Sequence, residues 1–228
     1  MARGILPFHK AGQCLDLRKF TIHVQKVFLS MPVTYIIIGI SVLISLYCFK
    51  QEAIRQKLML YPVAMRHPLQ AYRLITSGFV HVDTAHLVFN MITLYFFGPL
   101  LERFIGADQF LMLYLSGIIV ANLPSFYRHM HNPRFASLGA SGGVASVIFA
   151  CIYFIPWERI CIFFFLCIPA ILFAVGYLIY SAIMSRRAKQ TINHTAHFLG
   201  SVYGLVYMII IDSSHGALFL ERLMNFHM

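Results

Sequence analysis

Charge is what this chain has least of. Only 11% of its 228 residues are charged, and just eight are Asp or Glu. A soluble domain carries about 25% charged residues to face water. With 59% hydrophobic residues and a mean hydropathy of +0.74, this chain lacks the polar surface to cover itself, and lipid is the solvent it fits. No carboxylate falls inside the long apolar runs, which excludes chemistry based on paired aspartates at membrane depth. HExxH is absent and the histidine intervals lack ligand spacing, so a zinc hydrolase is excluded and no metal is expected. Cysteine is scarce as well, an odd five. Cys48, Cys151, Cys161 and Cys167 sit in apolar runs and read as small core residues, without a disulfide framework. No internal repeat is visible, which argues against the matched halves of a transporter.

Six uncharged intervals are present: Val27–Phe49, Thr84–Leu101, Gln109–Tyr127, Phe135–Trp157, Ile160–Ser185 and Gln190–Ile211. Each is close to the roughly 20 residues a helix needs to cross about 30 Å of hydrocarbon. The reading is an all-α, polytopic membrane protein with six spans. Residues 1–26 form a basic preface (Arg3, Lys10, Arg18, Lys19, Lys26) without an apolar core, so the first span acts as an uncleaved anchor. Residues 27–212 form the membrane domain and 213–228 a short tail; Ser213–Leu220 is too short to span. The net charge of +10 places Lys and Arg at span ends against anionic head groups, with membrane lipids rather than nucleic acid as partner. Eight Lys/Arg on one face against ten on the other give no orientation by the positive-inside rule.

Polar residues inside such spans are costly, so their positions carry information. Span two holds His86 and Asn90, span four Ser141, span six Asn193, His194 and His197. All three spans enter from one face, and each polar group lies near its start; at 1.5 Å per residue, His197 is roughly 12 Å beyond Lys189 and Asn90 roughly 10 Å beyond Asp83. Span four is short if Trp157 marks an interface, so Ser141 is expected at a recessed helix N-terminus, reached by the polar stretch YRHMHNPRFAS. Irregular backbone at that depth must line a cavity or be buried in protein. A serine hydroxyl needs a base to become a nucleophile, and His197 is the candidate. Free N–H groups at a helix N-terminus suit a developing oxyanion. His86 and Asn90, four residues apart, share a helix face and add donors. Gly139, Gly142 and Gly143 admit close backbone approach, and Gly200 and Gly204 form a GxxxG step that predicts packing of span six on span four. Taken singly, each polar residue reads as glue between helices. Together they fall at one depth on alternate spans.

HVDTAHLVFN (His81, His86, Asn90), GASG (Gly139 to Gly142) and AHFLGSVYG (His197, Gly200, Gly204), in this order and spacing across residues 33–212, resemble the rhomboid intramembrane serine proteases. Tyr72-Arg73 resembles the family's first-loop aromatic–Arg pair, with Tyr where Trp is usual, and Glu102-Arg103 resembles the acidic end of its second span. The resemblance implies Ser141 as nucleophile and His197 as general base and acid. It further implies His86, Asn90 and the Ser141 N–H as oxyanion hole, with His81, Arg73 and Glu102 in structural roles. It implies cleavage of transmembrane protein substrates without metal or other cofactor. The compact layout is most similar to bacterial members, so an inner (cell) membrane with the site opening outward is expected. The alternative is an inactive rhomboid-like protein that binds client helices; its expected mark is loss of the serine or histidine, and both are present.

Overall fold

A computed structural model describes residues 32–162, 166–186 and 193–225; the basic preface lies outside them. The first membrane helix, α1 (Val33–Lys50), begins at Pro32, which offers no capping side chain. The cap comes from elsewhere: the Glu102 carboxylate accepts from Val33 N (2.7 Å), Thr34 N (3.1 Å) and Thr34 Oγ1 (2.9 Å). An anion at a helix N-terminus satisfies orphan donors and complements the dipole. Glu102 thereby ties the second membrane helix to the first.

The first loop contains α2 (Glu52–Leu58) and a single turn, α3 (Arg73–Thr76). Arg73 is only 7% exposed. It donates from Nη1 to the carbonyls of Gln56 (2.7 Å) and Met59 (3.0 Å) and from Nε to Gln70 Oε1 (2.8 Å), closing the end of α2 where carbonyls lack helical partners. The Tyr72 hydroxyl donates to Lys57 O at 3.1 Å, and its ring lies 5.6 Å from the Arg73 guanidinium.

Helix α4 runs over Thr84–His129, 46 residues. At 1.5 Å per residue that is about 69 Å, more than twice a hydrocarbon core. Gly106 (φ 80°, ψ 162°) breaks it into two helices, 84–105 and 107–129. The sequence left all of 102–108 between spans; in fact one glycine in a left-handed conformation makes the break.

Helix α5 (Ser141–Phe154) is the pillar of the fold, with eleven of its fourteen residues buried. The apolar run after it was read as the start of a span, and here the structure differs. Strands β1 (Arg159–Ile162) and β2 (Leu166–Pro169) form an antiparallel ribbon with Cys161 opposite Cys167, and the two cysteines are exposed and disulfide-bonded. Helix α6 (Ala170–Ser185) starts only after Pro169, which lacks the N–H a helix interior needs. Cys48 and Cys151 remain free and buried, as expected.

Helix α7 (His194–Ile211) follows, and the C-terminal stretch is folded rather than a bare tail. Helix α8 (Ala217–Met224) accepts the Trp157 indole N–H at Leu223 O (3.1 Å), stacks Phe219 on Tyr153 (5.4 Å), and sends Arg222 to the Phe154 carbonyl. α1, α4 and α7 are long and apolar enough to cross a membrane. Large apolar side chains cover the outside, among them Leu43 (71% exposed), Phe89 (60%) and Ile210 (69%), as in a protein solvated by lipid. The fold is an all-α membrane bundle apart from the small ribbon.

Candidate active site

The site is set by the contact between α5 and α7. A Cβ on Gly200 would lie 2.2 Å from the Gly142 carbonyl oxygen, and one on Gly204 would lie 2.3 Å from the Ser146 carbonyl oxygen. The two backbones therefore touch, and the step of four residues on each helix shows them parallel and in register. Toward their starts, the seam leads on α7 from Gly200 to His197 and on α5 from Gly142 to Ser141, the first residue of that helix. Ser146 locks the seam: its hydroxyl shares its proton between Gly142 O (3.0 Å) and Gly200 O (2.9 Å). A Cβ on Gly142 would meet Ala121 at 2.5 Å, so α5 is gripped by the second half of α4 as well.

Ser141 is the first residue of α5, after Ala140, which supplies no side-chain cap. Its N–H belongs to the first turn and has no helical acceptor. The approach to it is irregular, as the short span predicted. Ser137 exchanges both backbone hydrogen bonds with Leu60 (2.9 and 3.0 Å), so the first loop braces the descent. Gly139 has φ +128° and donates to Ser77 O at 2.9 Å; a Cβ there would stand 2.5 Å from the His86 ring. Glycine thus serves both the backbone conformation and the close packing of His86.

His81 holds the same turn from below. Ala140 N–H donates to His81 Nε2 (3.3 Å), and His81 Nδ1 lies 2.9 Å from Ser45 Oγ, which donates to Phe79 O (3.0 Å). Since Nε2 accepts, the proton sits on Nδ1 and the chain of donors is complete. Burial first, and neighbouring His86 second, push the pKa of this loop histidine down to about 3, in keeping with the neutral tautomer. His81 thus joins Ser45 to the Ala140 N–H.

Ser141, His197, His86, Asn90, Gly139 and Gly142 all line one cavity of about 1140 Å³, whereas His81, Arg73, Glu102, Gly200 and Gly204 stand behind it. Among the described residues no hydrogen bond joins Ser141 to His197; such contacts commonly tighten only once substrate is bound. Asn90 spends one amide hydrogen on the His86 carbonyl (2.9 Å), leaving the other free. Two contributors, Tyr177 and Ser146, escaped the sequence reading, and Asn193 was read there only as a polar residue at the start of span six. Tyr177 on α6 lays its ring on His197, with centroids 6.4 Å apart and planes 20° apart. Asn193 caps α7 through Ala196 N (3.2 Å) while its amide reaches Ser125 Oγ (2.9 Å) and Ser137 Oγ (3.3 Å). Asn193 before a helix start was the one legible signal; a tyrosine among so many aromatics was not.

A family model described as Rhomboid domain matches residues 68–214. Relatives include RHOMBOID-like protein 12, mitochondrial, of Arabidopsis thaliana, 29% identical over 59% of this chain and 45% of its own length. Presenilin-associated rhomboid-like protein, mitochondrial, of Homo sapiens is 29% identical over 59% of this chain and 36% of its length. Rhomboid protease GluP of Bacillus subtilis is 35% identical over 36% of this chain and 15% of its length. The chain spans less than half the length of each of these relatives.

Proposed function

The chain belongs to the rhomboid family, and from that premise we propose that it is an intramembrane serine endopeptidase in which Ser141 and His197 act as a dyad on transmembrane protein substrates. The observation that supports this reading is the α5–α7 seam beside a cavity that both residues line. Ser141 Oγ adds to the scissile carbonyl carbon as His197 takes its proton. The oxyanion accepts from the Ser141 N–H, from His86 and from the unused amide hydrogen of Asn90. His197 then protonates the leaving amine as the C–N bond breaks, and a water deprotonated by His197 hydrolyses the acyl-Ser141. His81 and Arg73 keep the GASG turn and first loop in place without touching substrate.

The rival is a rhomboid-like protein that binds client helices and does not cut. A fluorophosphonate probe separates the two without knowledge of the substrate. Ser141 is expected to be labelled in the purified chain, with labelling lost in both Ser141→Ala and His197→Ala proteins that keep their helical circular dichroism. Labelling that persists in Ser141→Ala rejects the assignment. The membrane we propose is a bacterial cell membrane with the cavity opening to its outer face, on the strength of the compact layout alone; two of the three relatives above are mitochondrial and one is from Bacillus subtilis. Accessibility of a cysteine introduced at Arg134 to a membrane-impermeant reagent added to intact cells tests it.

A further inference from the structure

The cavity mouth is charged in one sense. Arg128, at the end of the second half of α4, Arg134, in the descent to α5, and Arg186, just past α6, all line it. All three are exposed, and among the described residues none makes an ion pair. The cavity lining holds a single carboxylate, Asp83, whose Oδ1 is already occupied capping His86 N (2.8 Å). Among the described residues, the other cations read onto the same side behave differently. Arg55 is paired with Glu52, Arg73 is buried in the first loop, and Lys50, Lys57 and Arg66 line no part of the cavity. Arginines there to meet lipid head groups have no need to face inward. These three, from separate elements, line the cavity that Ser141 also lines.

Resting on the peptidase reading above, we propose that Arg128, Arg134 and Arg186 form a specificity rim that selects substrates with acidic residues in the segment flanking the transmembrane helix on the cavity side. Guanidinium groups recognise carboxylates in paired, directional hydrogen bonds. Unpaired cations around a concave mouth raise the local concentration of such a segment and cost nothing to free. Because the rim is exposed, the selectivity is modest and falls as salt is raised.

The test uses the full chain in phosphatidylcholine nanodiscs and two transmembrane peptides that differ only in a juxtamembrane Asp-Asp-Glu or Asn-Asn-Gln. Affinity is read by fluorescence anisotropy, which needs no turnover, and kcat/KM in parallel. The acidic peptide should bind and be cut about three- to tenfold better, the scale of a few exposed ion pairs. In the Arg128→Glu/Arg134→Glu/Arg186→Glu protein the preference should vanish or invert toward a Lys-bearing peptide, with fluorophosphonate labelling at Ser141 reporting that the site is still folded. Equal affinity for the two peptides in the unmodified chain overturns the rim, whether or not Ser141 labels. Labelling alone decides the peptidase reading, so the two failures are distinct. In a second series of nanodiscs with increasing phosphatidylglycerol, a rate that tracks the fraction of anionic lipid and ignores the peptide's charge also overturns the rim, by assigning the arginines to head groups.

Discussion

Two neighbouring helices of this bundle are held in opposite ways. Helix α5 has eleven of fourteen residues buried and meets α7 backbone to backbone at Gly142–Gly200 and Ser146–Gly204. Helix α6, on the other side of His197, buries three of sixteen, Ala170, Ala174 and Ser181, and presents Leu172, Val175, Ile179 and Ile183 to its surroundings. The first contact joins the helices that carry Ser141 and His197 through main-chain atoms, which have no rotamers to relax. The second reaches the site through side chains alone, Phe173, Tyr177 and Ser185, of which Tyr177 stacks on His197. Few buried contacts mark the low-stability end of a structure. Ser141 and His197 therefore sit between a closely packed seam and a sparsely buried neighbour.

Gly200→Ala should have the largest effect. The new methyl meets a carbonyl oxygen, and only a shift of one whole helix relieves it. Overpacking of this kind costs on the order of 1–3 kcal/mol, here with backbone as the obstacle. Thermal unfolding in detergent should show a clear loss of stability, and Ser141 labelling should fall further than stability alone explains, because the register between Ser141 and His197 moves. A Gly200→Ala protein with unchanged unfolding and labelling would break the comparison at its stronger side.

That seam was legible in the amino-acid sequence because its parts are small residues at fixed spacing: GASG, the GxxxG step after His197, and polar residues near the starts of alternate spans. The ribbon was not. Ile160 to Pro169 carries no charge, and hydrophobic period alone does not separate a short apolar strand from the start of a buried helix. The pairing of Cys161 with Cys167 went unseen for the same reason, since both were placed on a helix. Gly106 was hidden among Glu102, Arg103 and Asp108, whose charges suggested a longer connection than the one residue that leaves the helix. The roles of His81, Arg73 and Glu102 followed from family resemblance alone; their partners are mostly main-chain groups and a serine on other elements, and no sequence pattern names a carbonyl or an N–H.

Tyr177 sharpens the contrast at intermediate scale. Its ring is the contribution of α6 to His197, so Tyr177→Leu should lower kcat by about three- to tenfold through a less well oriented imidazole, with thermal unfolding little changed because α6 is weakly packed. Tyr177→Phe keeps the ring and should recover most of the rate. Equal loss in both variants would assign the effect to the hydroxyl instead of the stack.

The smallest effect expected is the most direct test of the looser side. Gly176 lies at the middle of α6, and a Cβ there would find nothing within 4 Å. Nothing in the packing opposes Gly176→Ala, while replacing a mid-helix glycine gains on the order of 0.5–1 kcal/mol of helix propensity. Its melting temperature should therefore stay the same or rise slightly, the opposite sign to Gly200→Ala for the same added methyl. Were Gly176→Ala to lose stability on the scale of Gly200→Ala, α6 would have to pack against something as closely as α5 does, and the asymmetry around His197 would disappear.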